Sequence, residues 1–262
     1  MKFAIIAAGD GSRLEQEGIR VPKPLIEVGH ERLIDRLIRL YTDMGASEID
    51  VICNDKTIHV GSHLARIQNQ GLHGRPVPLR FMIKSTPSSM HSLHELHRYL
   101  GDEPFILSTV DTIFDEDDLC RYVDAFRNSN GECLMGVTRY VDDEKPLYVS
   151  VGEGMRINGF LDKSDCCEYV SAGIYGLQPQ VWQVLDECVR RGESRMRNFQ
   201  RALLSSDGVG SRLRAFAFGK VFDVDHKEDI YKAEAFLLGK DEMVDDDRYH
   251  FAKDELMESD DE

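Results

Sequence analysis

Several ingredients are scarce in this sequence, and each scarcity closes a class of protein. Six cysteines in 262 residues, none in a Cys-x-x-Cys spacing, argue against a disulfide scaffold or a zinc ribbon. The adjacent pair Cys166-Cys167 also lacks the spacing of a thioredoxin-like motif. No run reaches the roughly 18 apolar residues that a membrane helix requires. The apolar opening stretch, residues 1–8, carries no cleavage pattern of a secretory signal. A reducing, cytoplasmic setting without a membrane partner is therefore expected. Basic residues are outnumbered, 32 to 47, for a net charge of −15. A non-specific nucleic-acid binder needs a basic face, so nucleic acid is not an expected partner. Internal repeats, low-complexity linkers and a Pro-rich hinge are missing as well. One continuous domain over residues 1–238 is expected, followed by a solvated tail over 239–262. Between 241 and 262, eleven acidic residues face only Arg248 and Lys253, so this stretch carries −9 of the total charge. Tyr249 and Phe251 give the tail a second reading, as a docking segment.

What is present is an ordinary globular share of apolar residues, 42%, arranged in alternating periods. Residues 2–8 read as a strand in which Phe3 to Ala8 form an unbroken apolar run, as expected of a strand covered on both faces. An amphipathic helix is expected over 31–44, where Leu33, Leu37, Leu40 and Met44 recur at helical spacing, and Gly45 ends it. Strands are expected at 49–53, 79–83, 105–107 and 132–137. Helices are expected from Ser88 or Ser89 to Leu100 and over 115–126. This alternation points to an α/β fold, a sheet layered by helices. The stretch 147–175 reads as strand-rich, with turns at Gly152, Gly154 and Gly159. Helices at 179–189 and 195–204, a strand at 212–218 and a helix at 229–238 complete the pattern.

The first chemical signal follows the first strand. Gly9 and Gly11 leave room for backbone amides to approach a ligand, as loops that wrap phosphates do. Leu14 stands where a dinucleotide fingerprint needs its third glycine, and the Gly-Lys-Ser/Thr of a Walker loop is missing. Arg13 offers a planar fork for phosphate oxygens, and Lys23, between Pro22 and Pro24, a compact charge. The second signal is Asp111, after the strand at 105–107, where open α/β sheets bind ligands. The third is Phe222-Asp223-Val224-Asp225, two carboxylates on one side of an extended segment. His91, His94 and His97 recur every three residues and read as a polar helix face. No Gly-x-Ser-x-Gly elbow is present.

These motifs resemble a known family. Ala7-Ala8-Gly9-Asp10-Gly11-Ser12-Arg13 with Pro22-Lys23-Pro24-Leu25 is similar to the nucleotide-binding signature of nucleotidyltransferases that make nucleoside-diphosphate sugars and related compounds. The resemblance implies a three-layer, Rossmann-like mixed β-sheet flanked by helices. It places Ala7, Ala8, Gly9, Gly11 and Ser12 on the nucleotide, and Arg13 and Lys23 on the triphosphate. Lys84 and Ser89 fall where the family reads the nucleobase. Asp111 and Asp223 match positions that bind magnesium; Asp225 is left as a helix cap or a supporting group. Asp162, Lys163, Ser171 and Gly173 match residues around the acceptor, with Lys163 on its phosphate and Gly173 allowing close approach. Asp162, Ser164 and Ser171 depart from the family's glutamate, proline and asparagine. The implied partners are an NTP and a phosphorylated small molecule. The acceptor is a sugar 1-phosphate or, given the departures, phosphocholine or a polyol phosphate. A homo-oligomer is compatible with the sequence. A non-catalytic nucleotide-binding module on the same fold is the competing reading. A nicotinamide oxidoreductase is disfavoured by Leu14.

Overall fold

The computed structural model describes residues 1–141 and 144–239. Its strands are β1 (Lys2–Ala7), β2 (Glu27–Val28), β3 (Glu31–Arg32), β4 (Glu48–Cys53), β5 (Leu79–Ile83), β6 (Phe105–Thr109), β7 (Thr112–Phe114), β8 (Cys133–Thr138), β9 (Tyr148–Val151), β10 (Ile157–Leu161), β11 (Tyr169–Leu177), β12 (Leu213–Phe218) and β13 (Val221–Asp223). Its helices are α1 (Ser12–Gln16), α2 (Leu33–Asp43), α3 (Ile58–Gln70), α4 (Ser89–Leu100), α5 (Glu116–Arg127), α6 (Val181–Arg190), α7 (Met196–Leu204) and α8 (Lys227–Leu237).

The main sheet runs β10-β9-β11-β6-β1-β4-β5, with β8 and β12 added beside β11. β1 is parallel to β4 and β6, whereas β11 is antiparallel to β6, β8 and β9, so the sheet is mixed. The period-2 alternation of β1 divides its apolar run between two cores. Phe3, Ile5 and Ala7 join the side chains of α2, α3 and α5 on one face. Ala4 and Ile6 join those of α4, α6 and α7 on the other. An unbroken apolar strand is therefore what a three-layer α/β/α sandwich demands at its centre. The expected fold class is observed.

Two differences from the sequence reading have local causes. Helix α3 had no counterpart in that reading, because its apolar positions Val60, Leu64 and Ile67 are interrupted by polar residues and Thr57 makes no side-chain cap. The helix expected from Glu31 begins at Leu33, because Glu31 and Arg32 pair with β2 in a small hairpin. The acidic stretch after Gly239 lies outside the described residues.

The ligand-facing end of the sheet is set by β1, β4 and β6, which run in parallel and release their connections at the same edge. β7 and β13 form a separate antiparallel pair, Thr112 opposite Asp223. Val224 N then donates to Asp111 O at 3.1 Å. Two segments over a hundred residues apart in sequence are thus clamped together beside the end of β6.

Candidate functional site

The chain leaves β1 through a glycine loop and enters the short helix α1. Gly11 sits at φ 62°, the left-handed region that favours glycine, and a Cβ there would meet Lys23 Cβ at 3.4 Å. The bare backbone lets the stem of Lys23 lie against the loop. Loop, Lys23 and the end of β6 enclose a cavity of about 440 Å³. It is lined by Ala7, Ala8, Gly9, Gly11, Ser12 and Arg13 on one side and by Thr109, Asp111 and Asp225 on another. Thr86, Ser88, Ser89 and Ser92 supply a third wall rich in hydroxyls. Ser88 caps α4, its Oγ accepting from His91 N at 3.4 Å, so the amide end of a twelve-residue helix opens on this wall.

Cations and carboxylates converge at the cavity. Lys23 Nζ lies 2.5 Å from Asp111 Oδ2 and 2.5 Å from Asp225 Oδ1. Arg13 donates to Asp225 Oδ2 at 2.7 Å. Burial works against the Lys23 ammonium, but the two carboxylates outweigh it and hold its pKa well above the usual lysine value. For Asp111 burial pushes upward, and the neighbouring Lys23 ammonium more than offsets it, leaving the carboxyl below its usual range. Lys23 and Asp111 are therefore both charged at neutral pH. The N-cap of α8 is His226 rather than Asp225, and Asp229 Oδ2 reaches back to accept from Asp225 N at 3.0 Å and His226 N at 2.6 Å. The Asp225 carboxylate is turned to Arg13 and Lys23.

Asp223 stands next to this cluster rather than in it. Its Oδ1 accepts from Thr112 Oγ1 at 3.2 Å, and Thr112 in turn shares a hydrogen bond of 2.7 Å with Thr109. Asp223 lines a smaller neighbouring cavity of about 50 Å³ with Ser171, Tyr140, Glu144 and His226. Arg13 and Asp225 line both cavities. Gly173, at φ 70°, has its open side filled by protein: a Cβ would lie 2.7 Å from Thr112 Oγ1. The space spared by this glycine is taken by Thr112 and Thr109, the threonines beside Asp223. Ser171 sits on β11, where Gln200 Nε2 reaches its Oγ at 3.4 Å. Burial raises the Tyr175 hydroxyl to about 12 despite its hydrogen bond to Ser171, with Asp223 and Asp111 adding to the shift.

Besides Gly173, three expected residues line neither of these cavities. Lys84, at the end of β5, pairs with Glu95 of α4 at 2.8 Å and does not line the large cavity. Asp162 is held by Arg197 at 2.6 Å and Arg201 at 2.8 Å on the α7 side. Those two guanidinium groups keep its carboxyl below the usual range. Lys163 is exposed in the connection between β10 and β11 and lines neither cavity. Ser164, in the position of the family's proline, closes that connection by accepting from Cys166 N and Cys167 N at 3.2 and 3.0 Å. All six cysteines are free, and the histidines of α4 make structural contacts: His94 to Asp186, His97 stacked on Trp182.

Asp111 and Asp225 present hard oxygen donors of the kind magnesium prefers, and magnesium commonly takes one or two carboxylates plus phosphate and water. Among the described residues no group of three or more His, Cys, Asp or Glu converges as a complete metal cage. A two-carboxylate site that becomes complete only with a phosphate ligand fits both observations.

A mixed α/β sandwich with a glycine loop, two paired cations and a carboxylate at the end of the central strands defines a phosphate-handling nucleotide fold. The chain belongs to the MobA-like NTP transferase domain family, whose model matches residues 3–206. It is 26% identical to the glucose-1-phosphate cytidylyltransferase of Salmonella typhimurium over 59% of this chain and 51% of that protein. It is 27% identical to the mannose-1-phosphate guanyltransferase of Aspergillus oryzae over 69% of this chain and 50% of that protein. The chain thus spans about half the length of the curated relatives it matches. A Bacillus anthracis structure provisionally assigned as a glucose-1-phosphate thymidylyltransferase, in complex with sucrose, superposes with a TM-score of 0.77. That likeness covers 92% of this chain and 96% of the other at 21% identity, a likeness of fold.

Proposed function

We propose that this chain is a nucleotidyltransferase: it transfers a nucleoside monophosphate from an NTP to a sugar 1-phosphate or a similar phosphorylated acceptor and releases pyrophosphate. The observation that carries this reading is the placement of Arg13 and Lys23 on the wall of the glycine-loop cavity, each paired with carboxylates there. A triphosphate entering the cavity competes with Asp225 for both cations. Arg13 binds phosphate oxygens as a fork and Lys23 as a point charge. The loop amides and the capped end of α4 face the remaining oxygens and the nucleoside.

The acceptor's phosphate oxygen attacks the α-phosphorus in line. The bond from the α-phosphorus to the bridging oxygen breaks, and its electron pair leaves with pyrophosphate. The nucleophile is already anionic, so no side chain has to remove a proton. Catalysis is positioning and charge neutralisation. Magnesium, held by Asp111 with Asp225 or Asp223, would supply further neutralisation of the phosphates. Asp111 and Asp225 face the large cavity together, which makes that pair the better match. Among the four residues assigned to the acceptor, only Ser171 lines a cavity. For Lys163 to hold the acceptor phosphate, the connection between β10 and β11 must fold toward the site.

Cytidylyl transfer to phosphocholine or a polyol phosphate remains the alternative within this reading. Its support is the small cavity where Tyr140 and Glu144 accompany Asp223, an aromatic ring and carboxylates that would suit a quaternary ammonium as well as sugar hydroxyls. A pyrophosphate-release screen of four NTPs against sugar, choline and polyol phosphates tests both. Release that depends on one NTP and one acceptor class supports transfer. Nucleotide binding without release across the whole panel supports a non-catalytic module instead.

A further inference from the structure

The turn that follows β4 touches the glycine loop from behind, and one buried side chain makes the contact. Cys53 of β4 is in register with Ala7 of β1, so the next residues of the two strands, Asn54 and Ala8, emerge side by side. Asn54 is 5% exposed. Its Nδ2 donates to the Gly9 carbonyl at 3.0 Å and reaches the Ala8 carbonyl at 3.4 Å. Its Oδ1 accepts from Thr57 Oγ1 at 3.1 Å, which fixes the amide the right way round. Both ends of the amide are therefore engaged, one by the loop and one by its own turn.

The consequence follows from peptide geometry. In a trans peptide the carbonyl of one residue and the N–H of the next point in opposite directions. The chain has no cis peptide among the described residues. With the Ala8 and Gly9 carbonyls drawn back onto Asn54, the N–H groups of Gly9 and Asp10 are turned away from it. Ala8, Gly9 and Asp10 all line the large cavity. Successive amides facing one way form an anion-binding concavity. Glycine alone leaves a loop free to present either carbonyls or amides. A carbonyl rim would repel a triphosphate, and Asn54 is the group that selects the amide rim.

We infer that Asn54 is a positioning residue for the NTP: it holds the glycine loop with its amides toward the phosphates, and Thr57 holds Asn54. This deepens the nucleotidyltransferase reading and rests on it. Asn54 touches neither substrate directly, so its loss acts on nucleotide binding and leaves acceptor recognition alone.

The test compares three forms of the full chain, wild type, Asn54→Asp and Thr57→Val, in calorimetric titrations with the NTP selected by the pyrophosphate screen, each paired with KM for NTP and acceptor. Asn54→Asp keeps the shape but replaces the donating amide with a carboxylate against two carbonyls. It is expected to weaken NTP binding by about tenfold or more near pH 8, with acceptor KM within about twofold. Burial beside carbonyls raises the pKa of the introduced carboxyl, and once protonated it can donate again. The affinity gap to wild type should therefore narrow as the pH is lowered toward 5.5. Thr57→Val, a milder change outside the cavity, is expected to weaken NTP binding a few-fold with the same bias. Wild-type-like NTP affinity in Asn54→Asp, or an equal loss for NTP and acceptor that ignores pH, overturns the inference while leaving the function in place. If the wild type binds no NTP at all, the function itself fails and the inference with it. If Asn54→Asp does not fold, Thr57→Val decides: an unchanged NTP affinity in that variant overturns the inference.

Discussion

Replacing Lys23 by methionine probes the electrostatic centre of the site. The side chain is 9% exposed, and methionine keeps most of the stem while removing the charge. Asp111 and Asp225 each touch the ammonium at 2.5 Å, so their nearest oxygens lie no more than about 5 Å apart. Two like charges at that separation repel by about 3 kcal/mol at an effective dielectric of 20. Asp225 is 38% exposed, and solvent screening reduces this to about 1–2 kcal/mol. Adding the lost attraction to a partly buried Asp111 gives an expected destabilisation of about 2–3 kcal/mol near pH 8. The pH dependence carries the sign. Asp111 titrates below its usual range in the wild type, so its contribution is present above the unfolded-state value and is lost as pH falls through the folded one. In the variant, burial and repulsion push a carboxyl upward, so the folded form gains protons and stability as pH falls. The gap between the two proteins therefore shrinks toward acid. Lys23 titrates above its usual value of about 10.4, so the gap persists through pH 9. Urea denaturation at half-unit steps from pH 5 to 9 measures it. A difference below about 0.5 kcal/mol, or one flat across that range, refutes the reasoning.

Four further outcomes are expected. Asp111→Asn should reduce pyrophosphate release by about a thousandfold or more while the circular dichroism spectrum stays that of the wild type and the melting temperature falls by only a few degrees, Lys23 keeping Asp225; full activity would remove Asp111 from the chemistry. Gly173→Ala forces a Cβ into the left-handed region and to within 2.7 Å of Thr112 Oγ1, and should cost about 2–3 kcal/mol in thermal unfolding. Gly11→Ala meets only the Lys23 stem at 3.4 Å, so a smaller loss of about 1–2 kcal/mol is expected, with weaker NTP binding in calorimetry. Glu17 holds His226 at 2.6 Å, raising the imidazole above its usual value and lowering its own carboxyl. That contribution is complete between about pH 4.5 and 6.5, fades as pH rises through the raised histidine value, and is lost as pH falls through the lowered glutamate value. Glu17→Gln should therefore lower the melting temperature more at pH 6 than at pH 8.5.

The layered fold was legible because a strand buried on both faces leaves a distinctive trace. Every residue from Phe3 to Ala7 had to be apolar, since each feeds one core or the other. The glycine loop, Arg13 and Lys23 were legible for a related reason: a backbone approach to phosphate requires residues without side chains and cations nearby. Asp223 against Asp225 was harder. Two carboxylates two residues apart look alike in a sequence; in the fold Asp225 meets Arg13 and Lys23 while Asp223 meets Thr112, a difference that depends on the pairing of β13 with β7. Lys84 was placed at the base-reading position by its match to the family, and its ion pair with Glu95, nearly two turns into α4, had no trace in the sequence. Asn54 carried no signal at all. A lone asparagine after a strand reads as a turn residue, and its contact with Ala8 and Gly9 depends on the register of β1 against β4.

The central claim is that the cavity behind Arg13 and Lys23 grips a triphosphate. A crystal structure of the chain with the preferred NTP and manganese measures this directly. The account predicts the triphosphate along residues 9–12, Lys23 and Arg13 turned from Asp225 onto phosphate oxygens, and the anomalous metal peak beside Asp111. A nucleotide bound elsewhere, with both cations still clamped on Asp225, would contradict it.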